Sequence, residues 1–189
     1  MKPRFTRFVE FIELLGLTRQ TQETEQTLAY VLRHAPHEEF RMKQNQKGRV
    51  LAVNISDEKG TKKSNVEKCA LLKDFGLKGD AHGGPWHRQV SLLANESIEK
   101  MRAKGLDVGY GDFAENITTE SVDLVHLPIG TEIRIGGSVL LRVTQIGKEC
   151  HERCAIYYQA GDCVMPKEGI FAEVIKEGEV KVGDEIVIG

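Results

Sequence analysis

The pattern of apolar and polar positions changes character near residue 45. Before it, Phe5, Phe8, Ile12 and Leu15 recur at steps of three or four, the spacing of one face of an amphipathic helix. Gly16 ends that helix, and Thr18 or Thr21 starts a second one through Thr27, Leu28, Val31 and Leu32 to about His34. Ala35-Pro36-His37 breaks it, and the polar run from Glu38 to Gly48 reads as a linker.

After Arg49 the pattern is that of strands. Val50 to Ile55 forms a buried run, and Ser56 to Thr61 is a polar loop. Gln89 to Leu93 is a short strand, and Glu96 to Lys104 a short helix. Glu132 to Ile135, Val139 to Ile146, Phe171 to Ile175 and Glu185 to Ile188 follow, with Gly130, Gly136-Gly137, Gly178 and Gly183-Asp184 between them. Short strands at that spacing predict a mainly antiparallel sheet or barrel.

Composition and charge narrow the classes. At 189 residues, with 40% hydrophobic and 29% charged, the chain is globular and has one domain with or without an appendage. A net charge of −2 provides no overall field for nucleic acid, although Arg41 to Lys68 is locally basic. No apolar run reaches membrane-spanning length. Glu10 and Glu13 interrupt the N-terminal apolar stretch, which does not read as a signal peptide. The expected compartment is the cytoplasm, where thiols stay reduced.

Three segments carry candidate chemistry. Gly79-Asp80-Ala81-His82-Gly83-Gly84 followed by His87-Arg88-Gln89 gathers an acid, two imidazoles and a guanidinium. Arg88 offers a planar donor fork for phosphate or carboxylate. Asp80, His82 and His87 are of metal-ligating type, and a hydrogen-bonded turn with a buried ion pair explains them equally well. Gly111-Asp112-Phe113-Ala114-Glu115-Asn116 combines a turn, a core anchor at Phe113 and two polar residues entering a strand.

Cys150 follows the predicted strand ending at Ile146, with Lys148, His151 and Arg153 beside it in sequence. Nearby cations raise the thiolate fraction. Cys154 lies one helical turn on if the segment is helical, and Cys163 follows eight residues later. These three thiols suit reactive chemistry or a zinc site, although their spacing lacks paired knuckles. Cys69 fits a small buried hydrophobe.

In order, GRVLAVNISDEKGTKK, GLKGDAHGGPWHRQVSLL, GDFAENITTESVDL, LPIGTEIRIGGSVLLRVTQIGKEC and EGIFAEVIKEGEVKVGDEI resemble the MOSC family, named for the C-terminal domain of molybdenum-cofactor sulfurase. The resemblance spans residues 48 to 189 and is nearest to small stand-alone bacterial members. It implies a mainly antiparallel β-barrel like that of pyruvate kinase, with a few short helices, preceded here by a helical extension and linker over residues 1–47. That extension has no family counterpart and reads as an appended hairpin or an upstream start choice.

The family cysteine, placed here at Cys150, carries sulfane sulfur or faces molybdenum. Glu149 stands where many relatives have Pro, and Cys154 and Cys163 are additional to the family pattern. The sulfurase proper has a pyridoxal-phosphate desulfurase domain upstream, for which 47 residues are too few. The implied role is therefore to bind the molybdenum cofactor (molybdopterin) as cargo, or to take sulfur from a cysteine desulfurase and pass it to a molybdoenzyme. Arg88, Lys59, Lys62 and Lys63 would meet the pterin phosphate at the mouth of a positively charged cavity in the barrel. Asp80, His82, Gln89, Glu115 and Asn116 would orient the ligand. Two other functions stay open. One is a molybdenum-dependent reductase of N-hydroxylated compounds with a separate electron donor. The other is an adaptor stabilised by zinc on Cys150, Cys154 and Cys163.

Overall fold

The computed structural model describes residues 46–148 and 155–189. The expected N-terminal helices and most of the linker lie outside these residues, as do Cys150 and Cys154. In chain order the strands are β1 (Lys47–Ile55), β2 (Ser64–Val66), β3 (Lys68–Leu72), β4 (Gly76–Leu77), β5 (Val90–Ala94), β6 (Ile117–Glu120), β7 (Glu132–Ile135), β8 (Val139–Ile146), β9 (Ile170–Lys176), β10 (Gly178–Lys181) and β11 (Glu185–Ile188). The helices are α1 (Asn95–Ala103), α2 (Ala155–Ala160) and α3 (Met165–Glu168).

Seven strands close into a barrel in the order β11-β7-β8-β9-β5-β6-β1, and β1 pairs back onto β11. Lys47 already takes part, opposite Val187. Closure leaves no open edge in the ring, so each wall strand has partners on both sides. β1 is long enough to change partners along one edge: Lys47 to Arg49 pair with β11, and Val53 to Ile55 pair with β2. All pairings are antiparallel except β5 with β6, which run parallel with α1 in the connection between them. A separate sheet, β10-β3-β4, contributes Cys69, Leu71, Leu77 and Val180 to the same core as the barrel.

Alternation along the strands decides what the barrel contains. Val90, Leu92 and Ala94 of β5, Val139, Leu141 and Val143 of β8, and Ile170, Ala172 and Val174 of β9 all join one apolar cluster that fills the interior. The intervening Leu93 and Phe171 face outward into a second cluster with Ile98 and Met101 of α1, Ile156 of α2 and Met165 of α3. The barrel is thus a packed core with helices laid on the outer wall of β5 and β9.

Strands β7, β8 and β11 occupy the residues their periodicity predicts, and β9 extends one residue further at each end. β5 begins at Val90 rather than Gln89, and α1 begins and ends one residue early. The short pieces β2, β3, β4 and β10 lack a local signal because distant partners create them. Gly178 illustrates this: it reads as a turn residue but is the first residue of β10, opposite Leu71. A Cβ there would stand 2.2 Å from the Ser138 hydroxyl, so close approach requires the glycine.

Candidate functional site

The polar residues singled out from the sequence collect on the outer wall of the barrel, where β1, β5, β6 and β9 lie side by side beneath three loops. The barrel interior is instead occupied by apolar side chains, Val53, Val90, Leu92, Ile117 and Ala172 among them.

The loop after β4 is anchored by Asp80. Its carboxylate accepts the backbone N–H groups of Ser56 at 3.1 Å and His82 at 3.0 Å, and pairs with the Lys63 ammonium. The His82 Nδ1 lies 3.5 Å from the Asp80 carboxylate and 3.4 Å from Lys63 Nζ. Burial alone would raise the Asp80 pKa, but the hydrogen bonds from His82 and Lys63 outweigh it and hold the carboxyl well below the usual range. Burial draws the Lys63 ammonium below its ordinary value against the opposing pull of Asp80. Lys63 is therefore committed to a buried ion pair, and its charge is largely neutralised where it sits. Lys148 lies near enough for its charge to bear on Lys63, which brings the end of β8 to this loop.

Glu115 and Asn116 have different surroundings. The Asn116 Oδ1 accepts from Ser91 N at 3.1 Å and Ser91 Oγ at 2.9 Å, and its Nδ2 donates to Asn54 O at 3.2 Å. Asn116 thus ties together β1, β5 and the entry to β6. Glu115 is fully buried. Its Oε1 accepts from Gly111 N at 2.6 Å and Thr118 Oγ1 at 2.9 Å, while Oε2 has no partner among the described residues. Burial raises its pKa, and hydrogen bonds from Gly111 and Thr118 only partly oppose the shift.

Arg88 lies half-buried between two rings. Its Cζ is 4.7 Å from the Trp86 centroid and 5.6 Å from that of Phe171. Its Nε is buried without a hydrogen-bond partner among the described residues. The adjacent His87 Nε2 meets Gln145 Oε1 at 2.9 Å. The Thr144 hydroxyl reaches the carbonyls of Phe171, at 3.0 Å, and His87. The Thr144-Gln145 pair near the end of β8 therefore locks the Arg88 loop to the strand that precedes Cys150.

The remaining candidates are more dispersed. The Gln89 Oε1 accepts from Val174 N at 2.9 Å and so serves the barrel wall. Lys59 is exposed, and Lys62 pairs with Asp112 at 3.0 Å while staying 68% exposed. Cys163 is buried in the outer apolar cluster, and Cys69 is buried in the core, as a small hydrophobe would be. Among the described residues no three His, Cys, Asp or Glu side chains form a metal-binding group, and His87 turns to Gln145 rather than to Asp80 and His82. Asn54, Ser91 and Phe171 are essential to this arrangement but were not among the expected site residues. Asn54 and Ser91 carried a signal, as lone polar residues within apolar strand runs.

A closed barrel filled with apolar side chains, whose outer wall carries a polar network and a guanidinium with no partner for its Nε among the described residues, defines a β-barrel module with its polar residues on the outside of the wall. The profile of the MOSC domain matches residues 78–187, more than half of the chain, and the protein belongs to the MOSC family, which is associated with molybdenum-cofactor biology. Its fold is similar to that of the YuaD protein from Bacillus subtilis, with 19% identity, a TM-score of 0.63, and coverage of 75% of this chain and 95% of that one. YiiM from Geobacillus stearothermophilus aligns with 16% identity and a TM-score of 0.55 over 75% of each chain. YiiM from Escherichia coli aligns with 20% identity and a TM-score of 0.53 over 75% of this chain and 69% of that one. No curated protein matches the chain. Among the described residues no helix is long and apolar enough to cross a membrane.

Proposed function

We propose that the protein binds the pterin–molybdenum cofactor, or a precursor, at an anion site centred on Arg88. In this reading the Cys150 thiolate holds the metal or carries a sulfane sulfur for delivery to a molybdoenzyme or metal–sulfur assembly. The observation that carries the reading is the Arg88 guanidinium, braced by Trp86 and Phe171 with a buried Nε–H that lacks an acceptor among the described residues. A buried donor without an acceptor is costly, and a phosphate oxygen supplies one through a charge-assisted bond of about 1.5–3 kcal/mol.

The surrounding residues fit an anionic ligand. Lys63 and Asp80 offset each other, and Arg88 and Lys148 add positive charge among the described residues. Burial disfavours the charged form of Glu115, which lessens its opposition to an anion. Lys59 and Lys62 lie on the outer loop, where they attract an anion without holding it. When bound, the cofactor supplies a metal centre suited to oxygen or sulfur transfer. As a sulfur carrier, Cys150 would attack the terminal sulfur of a donor persulfide. The donor S–S bond breaks, the donor leaves as a thiolate, and Cys150 retains the sulfur as a persulfide. A cysteine desulfurase fits as donor, in the cytoplasm.

The test is co-expression in a cell competent to make the cofactor, followed by mass spectrometry for bound pterin, molybdenum and persulfide. Wild type should carry pterin or persulfide, Arg88→Gln should lose the pterin, and Cys150→Ala should lose the metal or the persulfide. Near-stoichiometric zinc with neither cargo would overturn the reading in favour of a zinc-stabilised adaptor.

A further inference from the structure

The loop that presents Arg88 also presents the only tryptophan of the chain. Trp86 is 38% exposed and belongs to neither apolar cluster. It is nevertheless held firmly. Its Nε1–H donates to the His82 carbonyl at 3.0 Å, its backbone N–H donates to Gly84 O at 2.9 Å, and the His87 ring meets it edge-on at 6.1 Å. The loop beneath is pinned in turn by Gly83 N to Asp80 O at 3.0 Å and Gly84 N to Phe75 O at 2.8 Å. The Arg88 guanidinium covers one face of the indole, and the other face is turned away from it.

A large aromatic ring fixed at its edge, with a cation over one face and 38% of the residue exposed, is preorganised for stacking. Little conformational freedom remains to be lost when a second planar ring settles on it. The cation lies over one face of the indole, 4.7 Å from its centroid, so one ligand on the ring has a positive charge close by. Its planar ring lies on Trp86 while its charged group reaches the Arg88 edge. A non-planar anion can use only the second.

We propose that the face of Trp86 away from Arg88 is the stacking platform for the planar heteroaromatic ring of an anionic ligand, and that Trp86 selects such ligands over simple anions. This rests on the reading above that Arg88 centres an anion site. Trp86→Leu keeps apolar bulk but removes the ring, and Trp86→Phe restores a smaller ring. Two probes separate the contributions: 6-carboxypterin, which is planar and anionic, and inorganic phosphate, which is only anionic. By calorimetry, Trp86→Leu should bind 6-carboxypterin about tenfold more weakly than wild type, Trp86→Phe should recover most of that loss, and phosphate affinity should change less than twofold in either. Because there is a single tryptophan, its quenching by acrylamide reports this ring alone, and 6-carboxypterin but not phosphate should protect it. Circular dichroism melts verify that each variant is folded.

The proposal is overturned if folded Trp86→Leu binds 6-carboxypterin as wild type does. Equal weakening toward both probes also overturns it, because the indole would then only brace Arg88. Wild type binding phosphate but not 6-carboxypterin refutes the stacking role and leaves the anion site standing. Wild type binding neither probe removes the anion-site reading itself, and the stacking proposal falls with it.

Discussion

Lys63 and Asp80 form an ion pair whose side chains are 1% and 2% exposed, joining the loop after β1 to the loop after β4. Replacing Lys63 by Met leaves a buried carboxylate without its cation and should destabilise the protein by about 3–5 kcal/mol. The double replacement Lys63→Met with Asp80→Leu removes both charges and should cost less than Lys63→Met alone. Urea denaturation of the three proteins checks both expectations.

The same pair sets an acid limit. Asp80 has a folded-state pKa below its ordinary value, so its contribution is complete above the unfolded carboxylate value of about 4 and is lost as pH falls through that value toward the folded one. In Asp80→Asn this part of the acid dependence should be absent. Thermal melts from about pH 2 to 6 measure it.

Glu115 works in the opposite direction. Burial raises its folded pKa, so the folded state holds a proton that the unfolded chain releases above about pH 4.3. Stability from this group therefore falls as pH rises from that value toward the raised one. Glu115→Gln keeps the side-chain shape and cannot ionise. Relative to wild type it should gain stability between pH 5 and 8, with the gap closing on acidification, as followed by melting temperature against pH.

Gly111 stands at φ +90°, and a Cβ added there would lie 2.3 Å from the Lys63 carbonyl oxygen. Its N–H holds the buried Glu115 carboxylate, and its carbonyl accepts the Lys63 N–H at 2.9 Å. Gly111→Ala should cost about 2–3 kcal/mol through backbone strain and should also disturb the ion-pair loop. The loss in denaturant midpoint should exceed that of an alanine substitution at Gly109, where a Cβ meets nothing within 4 Å.

Much of the barrel was legible along the chain. β7, β8 and β11 follow from period-2 alternation flanked by glycines, because a strand with one buried face must place apolar residues at every second position. The segments Gly79 to Arg88 and Gly111 to Asn116 were recognisable as carriers of chemistry from residue types alone. The roles within them were not. Residue type alone did not show, for example, that the Asn116 and Gln89 amide oxygens accept from the Ser91 and Val174 backbone N–H groups. Lys63 reads as a surface cation beside Lys59 and Lys62 but is the buried member of the three.

The sequence by itself determined the strand texture, the family and the residue types available for anion and sulfur chemistry, because periodicity and motif order are local properties. Only the tertiary structure decided that the barrel interior is full and that the polar site lies on its outer wall. It also decided how the cations are placed: Asp80 neutralises Lys63, while Arg88 is set between Trp86 and Phe171 with no partner for its Nε–H among the described residues. The physical reason is that burial and pairing depend on contacts between segments dozens of residues apart, and the spacing along any one segment carries no record of them.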